Sequence, residues 1–268
     1  MTMQNNKAEN KNLTHKSQDR FNKFEYPNDD FPYYNGLPIN ISGWQWLFVV
    51  GMVAVGFLFF MTPISFFDKG GFYMQFLKAV LFFVIPLVGL AIVAKKYWTA
   101  IFRKVKGKDV LWMFGFAFLN LVVTMLIGWF VKTIFGVASN AGTAGLATQT
   151  RSEQIEFFFK SIPSLFGEEV LTILPFLALM YMFSSKMKLS RKTSIILAWL
   201  ISALIFGLAH LSTYDWNFVQ CIVVIGSARL VLTLAYIKTK NIWVSFGAHI
   251  INDWILFLIP IIIATMAS

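Results

Sequence analysis

Apolar residues run in blocks of roughly twenty along this chain, separated by short polar and mostly basic stretches. Seven such blocks fall at about 44–62, 72–94, 110–135, 162–183, 193–211, 216–237 and 242–265. Each is long enough to cross a hydrocarbon core of ~30 Å at ~1.5 Å per residue. The pattern predicts an all-α fold, a polytopic membrane helix bundle of about seven transmembrane helices. Residues 1–43 are polar, with no apolar stretch near Met1, and so read as a tail, not a cleavable signal peptide. The tail ends in the turn-rich NDDFPYYNGLP, expected outside the bilayer. The domain organisation expected is therefore a 1–43 tail and a 44–268 helical domain. The connection 136–161 opens with GVASNAGTAG, a flexible loop by composition. It closes with IEFFFK, which either lies at the membrane surface or extends the fourth span.

Composition sharpens this picture. The chain is 57% hydrophobic, 17% aromatic and only 13% charged. That excludes a disordered chain, a collagen-like chain and a disulfide scaffold, and argues against an ordinary soluble enzyme. The net charge of +10 raises the question of nucleic acid. No basic region is large enough to fold alone, however, and no nucleic-acid partner is expected. Instead, 17 of the 23 Lys and Arg residues fall on one side when seven spans are threaded with the N-terminus in the cytoplasm. Lys7, Lys11, Lys16, Arg20 and Lys23 make the tail basic. The positive-inside rule then gives a cytoplasmic N-terminus and an external C-terminus. Short loops and compact size point to a bacterial plasma membrane. Cys221, the single cysteine, reads as a small buried apolar residue.

Ionisable groups inside the spans are few: Glu168, Glu169, Asp253, Lys78, Lys132, Arg229, His210 and His249. A charge at mid-bilayer costs at least ~2.5 kcal/mol, so each needs a partner or a purpose. Lys78 and Lys132 lie close enough to span ends to snorkel. Glu168 and Glu169 are adjacent, so they point ~100° apart on a helix. One can face a cavity while the other meets a neighbouring helix. Phe206 and His210 share a helix face, as do His249 and Asp253, each pair being four residues apart. A His–carboxylate pair at that spacing can orient the ring and choose its tautomer. A buried glutamate can take a proton from water, while histidines stabilise an oxyanion. Two His and one Glu can equally bind zinc, through Glu168, His210 and His249. The residues alone do not choose between the two.

In this order, on successive late spans, these residues resemble the CAAX protease and bacteriocin-processing family of intramembrane proteases, including its type II CAAX prenyl protease and Abi group. The family pattern is EExxxR, then FxxxH, then HxxxN or HxxxD. It matches here at Glu168-Glu169, at Phe206 to His210 and at His249 to Asp253. The segment YIKTKNIWVSFGAHIIND is also similar, and the resemblance covers roughly 160–255, the protease-like core. It implies Glu168 as water-activating base, His210 as its assistant, and His249 with Asp253 on the oxyanion side. It implies supporting roles for Glu169, Phe206 and Asn252. No cofactor is required by the glutamate mechanism, although zinc has also been proposed for the family. The expected partner is a membrane-associated or lipidated peptide or protein within the bilayer. In a bacterial setting, prenylated CAAX proteins are not the expected substrates.

One position departs from the pattern. The motif arginine would stand at residue 173, which is Ile173. A buried charge is then left unbalanced unless Arg229, in the middle of the sixth span, replaces it. Depth also matters. With a fourth span starting at 162, Glu168 sits ~9 Å below one face and His249 ~10 Å above the other. A working site therefore predicts an earlier start, near 157. Competing readings are an inactive relative in bacteriocin self-immunity or a membrane adaptor, and a proton-coupled carrier.

Overall fold

The computed structural model describes residues 24–26 and 29–267. Lys7, Lys11, Lys16, Arg20 and Lys23, the basic residues expected in the tail, lie outside the described residues. The described residues are 81% helical, without strands, and seven of the helices are long and apolar enough to cross a membrane. They are α1 (Gly43–Met61), α2 (Gly71–Ala94), α3 (Gly107–Phe135), α4 (Arg151–Tyr181), α5 (Arg191–Ala209), α6 (Gly226–Thr239) and α7 (Ile242–Ala267). A π-helical stretch, Gln220–Ile225, leads directly into α6 and lengthens that span to Gln220–Thr239.

α4 is the centre of the bundle: 78% of its apolar window is buried, against 17% for α3 and α7. It packs on α1, α2, α5 and α7, while α3 lies against α6 and α7. Phe166, Val170, Leu174 and Leu177 of α4 belong to the main core. The outward faces of α1 and α3 carry Trp44, Leu58, Phe118 and Trp129, large apolar groups suited to lipid.

The fourth helix starts at Arg151, eleven residues before the start read from hydropathy at 162. The physical reason is its cap. Thr150 accepts from the Glu153 amide, and the Glu153 carboxylate accepts from the Thr150 amide at 2.8 Å, a capping box. IEFFFK thus extends the helix. The polar start lowers the hydropathy of the window without breaking the helix.

Residues 29–42 do not trail from the bundle. Phe31, Tyr33 and Ile41 are buried in the main core. The Glu25 carboxylate accepts two hydrogen bonds from Arg191, at 2.8 and 2.7 Å, and pairs with Lys240 at 2.6 Å. Asp30 also binds Arg191, Asp29 pairs with Arg103, and Lys238 donates to the Phe24 carbonyl at 2.6 Å. This strap joins the α2–α3 connection, the start of α5 and the α6–α7 turn. Lys240 adopts a left-handed backbone (φ 50°), so that α7 begins two residues later. Lys78 reaches the Thr62 carbonyl and Asp68 at 2.9 and 2.6 Å. Cys221 is buried and free.

Candidate active site

Glu168 and Glu169 leave the buried middle of α4 in different directions. Glu168 lines a cavity of about 710 Å³ between the helices, and its side chain is 21% exposed. Glu169 is fully buried and points to α6. There it accepts from both Arg229 amino nitrogens, at 2.7 and 3.0 Å. This is the two-pronged geometry that suits a guanidinium and a carboxylate. Arg229 also donates from Nε to Thr233 at 3.2 Å, and its guanidinium lies over the Phe206 ring at 5.1 Å. Arg229 thus supplies to Glu169 the positive charge that Ile173, fully buried among apolar neighbours, does not.

The two histidines are oriented by the same device. His249 shares its Nδ1 with Glu169 Oε1 at 3.0 Å. Since Glu169 is already an acceptor for Arg229, Nδ1–H donates, and Nε2 is turned toward the cavity. There Nε2 lies 3.7 Å from Glu168 Oε2 and 3.6 Å from Asp253 Oδ2. His210 caps the C-terminal end of α5. Its Nδ1 lies 2.8 Å from the Phe206 carbonyl, a group that can only accept. Its Nε2 faces Glu168 at 3.8 Å. Phe206 packs against His210 with ring centroids 4.4 Å apart and planes tilted by 42°, so one aromatic ring contacts both Arg229 and His210.

Two close approaches hold these helices in register. A Cβ placed on Gly207 would lie 2.5 Å from the Cys221 carbonyl oxygen, so glycine lets α5 meet the start of the sixth span. Trp254, next to Asp253, donates to Ser161 Oγ at 2.9 Å and ties α7 to α4.

Every sequence-derived site residue, Glu168, Glu169, Phe206, His210, Arg229, His249, Asn252 and Asp253, lines or borders this one cavity. Asn252 donates to Asp253 at 2.7 Å. Among the described residues no set of three or more His, Cys, Asp or Glu side chains is arranged to hold a metal ion.

The sequence reading missed several polar lining groups. Asn120 and Thr124 of α3 line the cavity, as do Asn140 and Tyr214, which bond to each other at 3.1 Å. The signal was present in FLNLVVT, an amide and a hydroxyl four residues apart in an apolar span. Neutral polar groups stand out less from an apolar run than ionisable ones do. The loop 136–150 lends Asn140, Gly142 and Thr143 to the cavity lining and is held by Gln220, which bonds both the amide and carbonyl of Ala138 at 2.7 and 3.0 Å.

Comparison with known proteins agrees with this geometry. Residues 154–255 match the model of a family described as type II CAAX prenyl endopeptidase, Rce1-like. No curated protein and no solved structure matches the chain. The matched segment runs from the first turns of α4 to the turn of α7 that follows Asp253, and so contains both glutamates, both histidines and Arg229. Residues 154–255, rather less than half of the chain, are thus similar to the Rce1-like type II CAAX prenyl endopeptidase family.

Proposed function

We propose that this protein is an intramembrane endopeptidase that hydrolyses a peptide bond of a membrane-associated or lipidated substrate, with Glu168 as the base. The observation that carries the reading is the division between neighbouring carboxylates. Glu169 is consumed by Arg229 and His249, whereas Glu168 faces the cavity with two imidazole Nε2 atoms 3.7 and 3.8 Å away.

Water held between Glu168 and the histidines gives a proton to the Glu168 carboxylate. The resulting hydroxide attacks the scissile carbonyl carbon. Negative charge develops on the carbonyl oxygen, where Nε2–H of a protonated His249 or His210 donates a hydrogen bond. Asp253 and Glu169 flank His249, at 3.6 and 3.0 Å, and fix the orientation of its ring. Glu168 then returns the proton to the departing amine as the C–N bond breaks. The Arg229–Glu169 pair touches no reacting atom and acts by aiming His249.

The orientation we infer has the strap and basic connections in the cytoplasm of a bacterial plasma membrane, in keeping with the positive-inside distribution. The family description adds prenylated peptides to the lipidated class worth testing. The test compares newly formed peptide N-termini in membranes carrying wild type or Glu168→Ala at matched levels. Termini confined to wild type are expected, and they name the substrate. Identical profiles with both proteins folded would instead indicate a non-catalytic role in immunity or as an adaptor.

A further inference from the structure

Asn120 is fully buried on α3, it lines the cavity that holds Glu168, and neither its Oδ1 nor its Nδ2 has a hydrogen-bond partner among the described residues. Thr124, one turn further on, lines the same cavity with an equally unpartnered Oγ1. An amide inside a membrane bundle ordinarily bonds across to a neighbouring helix, because lipid offers nothing in exchange. α3 packs against α6 and α7, yet Asn120 takes no partner from either.

We propose that Asn120 and Thr124 form a subsite for the backbone of the substrate, which binds as an extended strand along α3 facing Glu168. This rests on the peptidase reading above. A carboxamide offers one acceptor and two donors, the complement of a peptide group with its N–H and C=O. The spacing also fits. Residues four apart on a helix are ~6 Å apart along its axis. Backbone groups on one edge of an extended chain recur every two residues, or ~6.6 Å. Asn120 and Thr124 thus match successive outward-facing peptide groups of one strand. An extended segment is also the form a helical membrane peptide must adopt to present a scissile bond, since helix carbonyls are already engaged. Recognition through the backbone leaves side-chain choice to the apolar wall, where Phe82, Leu232 and Leu256 line the same cavity.

The test uses full-length protein in lipid nanodiscs. The probe is a pool of lipid-anchored dodecapeptides of randomised sequence, with a matched pool methylated on backbone nitrogens. Glu168→Gln serves as the non-cleaving parent, and retained peptides are counted by mass spectrometry. The parent is expected to retain unmethylated over methylated peptides. Adding Asn120→Leu, or Thr124→Val as the milder change, should cut that retention roughly tenfold and erase the methylation preference. The thermal unfolding midpoint of Asn120→Leu should not fall, because no internal hydrogen bond is lost. Unchanged retention, a parent that retains nothing, or a lowered midpoint that accounts for the loss would each overturn the subsite. Retention that depends on Asn120 without cleavage by wild type would leave the subsite standing and sink the peptidase reading instead.

Discussion

Glu169 on α4 and Arg229 on α6 meet through two hydrogen bonds of 2.7 and 3.0 Å, sixty residues apart and with both side chains fully buried. The pair places a positive charge on another helix, beside one of the two glutamates of the EExxxR pattern, where residue 173 is Ile. It also links α4, α6 and α7, because Glu169 continues the contact to His249.

Removing one partner of a buried ion pair leaves an uncompensated charge, at a cost of about 3–5 kcal/mol. Arg229→Met is therefore expected to lower the unfolding midpoint sharply and to abolish turnover. Restoring the motif position with Ile173→Arg in that background places a guanidinium one turn from Glu169 on the same face. Partial recovery of both stability and turnover is expected. The check is thermal unfolding in detergent together with counts of new peptide N-termini. A stable, active Arg229→Met would show that the ion pair is dispensable.

Gly207 makes a separate test, because it governs position and carries no charge. Alanine there would force its Cβ to 2.5 Å from the Cys221 carbonyl, a backbone atom that cannot swing aside. Overpacking of this kind costs about 1–3 kcal/mol, and a shift of ~1 Å at His210 can cost ~100-fold in rate. Gly226→Ala is the control, since its Cβ would make an ordinary contact of 3.7 Å with the Ala203 carbonyl. Equal activity in the two variants would refute the role assigned to close helix approach.

The strap predicts an acid-sensitive contribution to stability. Burial raises the Glu25 carboxyl, but hydrogen bonds from Arg191 and Lys240 outweigh it and hold the group at about 2, below its usual 4.5. A lowered folded value contributes stability that is present above pH 4.5 and lost as pH falls toward 2. The contribution is on the order of 3 kcal/mol. The unfolding midpoint of Glu25→Gln should lie well below wild type at pH 7, and the gap should close between pH 4.5 and 2. A gap that stays constant with pH would remove the ion pairs from the account.

The helical class and the site residues were legible because lipid makes each buried polar group conspicuous. Glu168, His210 and His249 stand out of apolar runs, and helix spacing alone puts Phe206 with His210 and His249 with Asp253. The start of α4 was not legible from hydropathy, since its first turns carry Arg151, Glu153 and Glu156. The capping box Thr150–Glu153 marked it instead. The requirement that Glu168 and His249 reach one depth also pointed to an earlier start. The strap escaped for another reason: Tyr33 and Glu25 are buried by partners far along the chain, and no local pattern announces them. Asn120 was passed over because it is neutral.

The central claim is that two adjacent glutamates divide chemistry from scaffolding. It is tested most directly by comparing Glu168→Gln with Glu169→Gln for new peptide N-termini and for unfolding midpoint, at matched expression. Loss of a general base costs on the order of 100- to 10,000-fold in rate. The account predicts that Glu168→Gln silences cleavage with its midpoint preserved, whereas Glu169→Gln loses stability, because Arg229 is left without its counter-charge. Undiminished cleavage by a folded Glu168→Gln would contradict it.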